Sequence, residues 1–443
     1  MTGMDALVAR VGGAVGGLAA TAKFGVVTPS DADSRRCSGP DARKIRLLVF
    51  TSLYPNAAQP RHGVFVEERL RHLMASGRIA TTVVAPVPWF PFRHPGFGAY
   101  AAFARVPERE ERHGIRILHP RYPVIPKVGM SIAPALMYRA LLPVLRKRLA
   151  DEGEFDLIDA HYFYPDGVAA ARLGEAIGKP LVITARGSDV NVIANHRSPL
   201  RQIKWAAEKA DAIVAVSEAL KAKVAALGVN PEKIAVLRNG VDLDRFRPLD
   251  RSAIRAKLGL AGAVWLTAGH LVELKGVHIA LAALARTPEA TLLIAGEGPE
   301  EARLRQLADR LDITARVRFL GAIPHAELCE YYNAADAMVL ASSREGMPNV
   351  ALESLACGTP VVAAPFAGAT EVVGGPEAGE VAESRTPEAI ASAWQRLQER
   401  RPDRAATRRF AEWLGWAPVV EEQCALYARV LAARKQDTQG AKP

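Results

Sequence analysis

Glu345 and Glu353 stand eight positions apart in the run Glu345-Gly-Met-Pro-Asn-Val-Ala-Leu-Glu353, and their types and spacing suggest chemistry. Gly346, Met347, Pro348 and Asn349 between them suit a loop entering a helix. Backbone N–H groups at that helix start would meet an anion, with roughly 0.3–1 kcal/mol from the helix dipole. Glu353 falls one turn beyond Asn349 and shares its face. A carboxylate accepts two hydrogen bonds at once, which matches a vicinal diol such as a ribose. Either glutamate alone reads as a solvated surface residue. The whole block reads as a holder for a phosphorylated, hydroxyl-rich ligand.

The elements that must position this block follow from its flanks. Ala337 to Leu340 are a buried strand, Pro348 suits the first turn of a helix over Asn349 to Cys357, Gly358 ends it and Pro360 prevents its extension. The same rhythm runs through the chain. IRLLVF, TTVVAPV, FDLIDAH, KPLVITA, ADAIVAV and KIAVL are strands of a first unit; AVWLTAG, ATLLIAG, VRFLGA and GEVAE belong with the block in a second. Strands alternating with helices predict parallel sheets covered on both faces, with ligands at the strands' carboxyl ends. Gly63 before a helix, His161 with Asp166, and Arg186 with Asp189 collect there. For His161 a buried structural role is the alternative, and for Asp189 a helix cap. The organisation predicted is a flexible extension over 1–43, domains over 44–248 and 249–404, a closing helix over 405–435 and a tail over 436–443.

The chain has 443 residues and a formal net charge of +10. Between residues 86 and 150 there are eleven Lys/Arg against three Glu, beside the loop Pro88-Trp89-Phe90-Pro91-Phe92. That combination suits an acceptor groove or an anionic membrane surface; the alternative is a loop that covers core. No nucleic-acid partner is expected. The four cysteines form no C-x-x-C pair, which suits a reducing compartment and argues against a zinc site or a disulfide framework. Arg10 and Lys23 interrupt the weakly apolar start, which fits neither a spanning helix nor a signal peptide.

The motifs together resemble family 4 glycosyltransferases, retaining enzymes of the GT-B fold. The Glu345–Glu353 block resembles that family's E-x7-E signature. Gly269-His-Leu-Val-Glu-Leu-Lys275-Gly276 resembles its G-R-L-x-x-x-K-G loop, and Gly296-Glu-Gly298-Pro299 its G-x-G-P turn. The resemblance runs from about Ile45 to Leu431. FTSLYPNAAQPRHGVF and RGSDVN look nearest to members that build teichuronic-acid-type or other extracellular polysaccharides.

It implies an α/β fold of two Rossmann-like doubly wound domains facing a cleft, with the C-terminal helix returning to the first. It implies transfer of a hexose-type sugar from a nucleotide-diphosphate donor to a saccharide or lipid-linked acceptor hydroxyl. Lys275 would bind the diphosphate with His270 in place of the family's Arg. Glu345 would contact the donor sugar and Glu353 the ribose, while Gly63, Gly269, Gly296, Gly298 and Gly346 to Asn349 line the donor site. Arg186 stands where the family often has His, as a charge near the phosphates, and His161 and Asp189 fall on the acceptor side. Asp242-Leu-Asp244 resembles a metal-binding D-x-D of another transferase fold but sits at the interdomain exit, away from the donor site, so neither an essential metal nor a cofactor is expected. Gly296-Glu-Gly298 lacks the third glycine of a dinucleotide fingerprint, which disfavours an oxidoreductase. A nonhydrolysing epimerase shares the architecture but lacks support for its acid/base carboxylates. A catalytically weak nucleotide-sugar-binding subunit of a polysaccharide complex is the remaining alternative. The expected location is cytoplasmic, peripheral at the inner membrane face.

Overall fold

Apolar runs of three to six residues become parallel strands here because helices cover both faces and no polar side need alternate. The computed structural model describes residues 43–94, 99–124, 129–152 and 155–440. Residues 1–42 of the extension expected over 1–43, the end of the tail and parts of the basic segment lie outside the described residues.

Strands β1 (Ile45–Phe50), β2 (Ile79–Val84), β3 (Val87–Pro88), β4 (Arg109–Arg112), β5 (Ile115–Leu118), β6 (Arg121–Tyr122), β7 (Leu157–His161), β8 (Leu181–Ala185), β9 (Ala212–Ala215) and β10 (Ile234–Val236) belong to the N-terminal lobe. Among the described residues its main sheet has the order β10-β9-β8-β7-β1-β2-β5-β4, with β3 and β6 paired apart. All neighbours in the main sheet are parallel except β4 and β5. That hairpin was missed in the sequence, where Arg109-Glu-Glu-Arg112 registers only as charge. Its signal is the turn His113-Gly114, whose φ values of 51° and 73° suit the tight turn of a two-residue hairpin.

The second lobe contains β11 (Ala263–Ala268), β12 (Ala290–Ala295), β13 (Val317–Gly321), β14 (Ala337–Leu340), β15 (Val361–Ala363) and β16 (Gly379–Val381). They pair in the parallel order β13-β12-β11-β14-β15-β16.

Two passages of chain join the lobes. After β10 the backbone runs through Gly240 and Val241 to the helix Arg251–Lys257. It returns through Leu414 and Gly415 into the helix Trp416–Gly440, which packs on the helix Val64–Ala75. The passages touch: Val241 N–H donates to Leu414 O at 2.9 Å, and Val241 pairs in parallel with Gly415. The returning helix buries Cys424, Tyr427 and Val430 in the same core as Leu47, Val49 and Leu70.

Candidate active site

The carboxyl ends of β11, β12 and β14 bring three loops of the second lobe together. Lys275 sits in a single helical turn after β11 and donates to Glu345 Oε1 at 2.7 Å. Ser342 Oγ donates to the same oxygen, also at 2.7 Å. Glu345 is largely covered, with its side chain 11% exposed, while that of Lys275 is 28% exposed. His270 is exposed and its Nδ1 lies 2.7 Å from Glu297 O. A carbonyl only accepts, so Nδ1 carries the proton; Nε2 then donates only when the ring is protonated. Gly296 makes this packing possible: with φ at 148°, a Cβ there would lie 1.8 Å from Gly269 O. A Cβ on Gly298 would meet Leu271 O at 2.3 Å. These glycines serve the mutual packing of the loops around a small pocket lined by Gly269, His270, Lys275 and Ser342.

The helix Asn349–Ala356 begins after Pro348, which lies just before the first helical residue and supplies no side-chain cap. Its first amides are therefore left for a ligand. Glu353 is 7% exposed, and both oxygens are engaged: Oε1 accepts from His325 Nε2 at 2.8 Å and Oε2 from the Tyr332 hydroxyl at 2.8 Å. Across the cleft stand Gly63, Val64 and Phe65, and a cavity of about 270 Å³ separates them from Asn349 and Glu353. Gly63 is required by its own chain, since a Cβ would lie 2.2 Å from Leu53 O. Arg61 reaches Glu297 of the other lobe at 3.7 Å. A Cβ on Gly346 would lie 2.2 Å from Arg186 O, so the lobes meet backbone to backbone beside Glu345.

Residues 101–245 match the family model described as Glycosyltransferase Family 4, and residues 250–412 the model described as Glycosyl transferases group 1. The putative teichuronic acid biosynthesis glycosyltransferase TuaC of Bacillus subtilis (strain 168) is 31% identical over 341 residues, covering 74% of this chain and 83% of that protein. The D-inositol 3-phosphate glycosyltransferase of Geodermatophilus obscurus is 30% identical over 364 residues, covering 74% of this chain and 80% of its own. The chain belongs to the family 4 glycosyltransferases. Among solved structures, sucrose-phosphate synthase from Thermosynechococcus elongatus superposes with a TM-score of 0.70 at 22% identity, over 88% of this chain and all (100%) of that one. Anabaena Alr3699/HepE in complex with UDP gives 0.67 at 22%, over 87% of this chain and 100% of that one. The fold of this glycosyltransferase is GT-B.

In the first lobe the side chains depart from expectation. Arg186 turns its guanidinium inward: Nη1 donates to Asn239 Oδ1 at 3.1 Å, Nη2 lies 2.7 Å from His161 Nδ1, and the group stacks on Phe65 at 5.0 Å. Burial lowers its pKa to about 9. It therefore helps hold the lobe together, while its carbonyl lies against Gly346 of the other lobe. His161 is fully buried between Arg186 and Asp159, whose Oδ2 is 3.1 Å from Nε2, and has no surface for an acceptor. Asp189 is also fully buried and accepts backbone N–H groups of Phe163, Arg186, Gly187 and Val190, so it is a staple for the loop after β8. Their place at strand ends was readable from the sequence; the inward direction of their side chains was not.

Asp242 is also corrected. It lines the same cavity as Glu353, so it is not remote from the donor side. With Glu68 and His72 it forms a half-buried group whose ligand atoms lie within 4.8 Å of one another. Glu68 is already paired with Arg71 at 3.2 Å and Arg245 at 3.0 Å, while His72 stacks on Trp416. Cations of the chain itself answer that charge.

Residues the sequence did not reveal are His325, Tyr332, Arg245 and Asn239. No spacing links 325 or 332 to 353; only the fold does. Asn239 Nδ2 donates to Asn349 Oδ1 at 2.8 Å and so joins the buried Arg186 group to the helix start.

Asp166 lies fully buried, accepting from Ser52 Oγ at 2.8 Å, and burial pushes its carboxyl up to about 7 from an ordinary 3.8. The folded chain thus keeps a proton that the unfolded chain releases, and stability falls as pH rises from about 4 to about 7. Asp166→Asn removes this loss, worth up to about 4 kcal/mol at neutral pH. Urea unfolding at pH 4.5 and 7.5 should show the variant gaining on the native chain at the higher pH; parallel behaviour contradicts the assignment.

Proposed function

We propose that this chain is a retaining glycosyltransferase that moves a hexose-type sugar from a nucleotide-diphosphate donor to an acceptor hydroxyl in cell-surface polysaccharide or glycolipid synthesis. The observation that carries this is the Lys275–Glu345 pair beside the uncapped helix start at Asn349, with Glu353 one turn further on. Lys275 has three N–H donors and Glu345 occupies one, so the ammonium can meet a diphosphate while it stays anchored. Each such bond to a charged oxygen is worth roughly 1.5–3 kcal/mol. As the bond from the anomeric carbon to the diphosphate breaks, charge gathers on the departing oxygens, where Lys275, the amides of Gly346, Met347 and Asn349 and a protonated His270 oppose it. The oxygen of the acceptor hydroxyl bonds the same carbon on the face the diphosphate leaves, and its proton passes to the departing phosphate oxygen. Glu345 orients Lys275 and lies where the donor sugar's hydroxyls would be.

The relative in teichuronic acid synthesis supports the polysaccharide reading, and the Anabaena protein of similar fold, solved with UDP and with UDP-glucose, supports a nucleotide sugar as donor. On the acceptor side we assign a membrane-facing surface to the first lobe. Trp89 and Phe92 are 57% and 56% exposed in a loop that continues into Arg93. Not all the surplus charge is available for that role: Arg112 pairs with Glu67, and Arg121 donates to the carbonyls of Phe103 and Val106. Among the described residues no helix is long and apolar enough to cross a membrane.

Lys275→Ala should cut sugar transfer by roughly 10²–10³, the scale for losing one donor to developing charge. Release of nucleoside diphosphate from a panel of UDP- and GDP-sugars measures this, and a near-native rate would refute the role. Activity should survive excess chelator; loss restored by Mg²⁺ would show that a metal is needed. Replacing both Trp89 and Phe92 with Ser should abolish sedimentation with anionic lipid vesicles, and undiminished sedimentation would exclude that surface.

A further inference from the structure

Glu353 does not stand free in the cleft, and the residues that hold it come from more than one part of the fold. Tyr332, fully buried on the helix Leu328–Ala334, donates to Oε2. His325 precedes that helix, lines the cavity and donates to Oε1. Arg245, on the passage between the lobes, places Nη1 3.2 Å from His325 Nδ1. A guanidinium only donates, so Nδ1 accepts and Nε2 carries the hydrogen for Glu353. The same Nη1 donates at 3.0 Å to Glu68 Oε1 on the helix Val64–Ala75 of the other lobe. Glu68, Arg245, His325 and Glu353 thus form one continuous line from lobe to lobe.

We infer that His325 is the positioning residue for Glu353, and that Arg245 makes the grip of this carboxylate on a ribose depend on the setting of the two lobes. This rests on the reading of Glu353 as the group that holds the donor's ribose. An ionised carboxylate has about four acceptor sites. His325 and Tyr332 take one on each oxygen, which leaves one on each for two adjacent hydroxyls. Without His325 the Oε1 side turns freely, and the spacing needed for a diol is no longer held. Without Arg245 the His325 ring loses the partner that selects its tautomer. The charged and titratable groups about the ring are Glu353, Arg245 and Glu68.

The test is equilibrium binding of UDP, GDP and ADP to the full chain, followed by the 2′-deoxy form of whichever binds most tightly. The native chain should prefer the ribonucleotide by roughly tenfold or more, the scale of one hydrogen bond to a charged group. Glu353→Gln should erase that preference. His325→Ala should compress it severalfold by weakening the ribonucleotide alone, Arg245→Met should do so partly, and His325→Gln, which retains an N–H donor, should restore much of it. If Glu353→Gln erases the preference and His325→Ala leaves it intact, the positioning role is wrong and the ribose reading stands. If His325→Ala weakens both nucleotides equally and lowers the melting temperature, the residue is structural and the inference fails. A preference that survives in Glu353→Gln overturns the ribose reading itself, as does absence of binding by all three nucleotides.

Discussion

The fold depends on one close contact between the two passages that join its lobes. A Cβ on Gly240 would lie 2.5 Å from the Trp416 ring, and Val241 is hydrogen-bonded beside it to Leu414. Each sheet has its own strand order, and the cavity that holds Gly63 and Glu353 is lined from both lobes, whose relative angle the paired passages help to set. The returning helix reinforces it: the Tyr427 hydroxyl donates to Asp159 Oδ2 beneath the first sheet, at 2.7 Å. Asp159 is in turn the partner of His161, which meets Arg186. The buried polar centre of the first lobe is therefore tied to the chain's last helix.

A second consequence follows at the rim of the cleft. Arg186 and Gly187 of one lobe lie against Gly346 of the other, beside Glu345. Side chains there would hold the backbones apart. Polar contacts also join the lobes, Asn239 with Asn349 at 2.8 Å and Glu371 with Arg238 at 3.0 Å, beside a buried apolar cluster that includes residues of both. Glu371 also accepts the first amides of the helix Glu218–Ala226 at 2.9 Å. A carboxylate at a helix start is favourable because it answers both the free N–H groups and the dipole. Bonds of this kind exchange with water at modest net cost, whereas an apolar interface of the same area would resist opening.

Legibility in the sequence followed the range of the physics. The strands around Ile45, Leu157, Leu181 and Ala337 were plain because a strand covered on both faces is an apolar run, visible within a few residues. The donor block was plain for a similar reason: loop, helix start and two carboxylates are all local. The hairpin of β4 and β5 was obscured because its edge strand is charged, and an edge strand needs no apolar run. Arg186, His161 and Asp189 were placed at the correct strand ends, yet their side chains point inward. For Arg186 the choice depends on Asn239 and Phe65, which lie far from it in sequence. His325 and Arg245 were silent for the same reason. Their meaning lies in a line of four residues drawn from four segments of chain.

The donor side is already paired before any ligand arrives, and this decides how its charges can act. Lys275 is bonded to Glu345 and Glu353 to His325 and Tyr332, so a ligand adds contacts to groups that keep their partners. Lys275 loses little by it, because one of three donors is committed and the pair keeps the ammonium aimed. A donor held in place in advance need not reorganise as charge develops, which is where an enzyme gains most. His270 is in a different position, since its Nδ1 hydrogen is committed to Glu297 O and only a second proton gives it anything to offer a phosphate. In the proposed transfer the constant charge of Lys275 therefore carries the stabilisation of the leaving group.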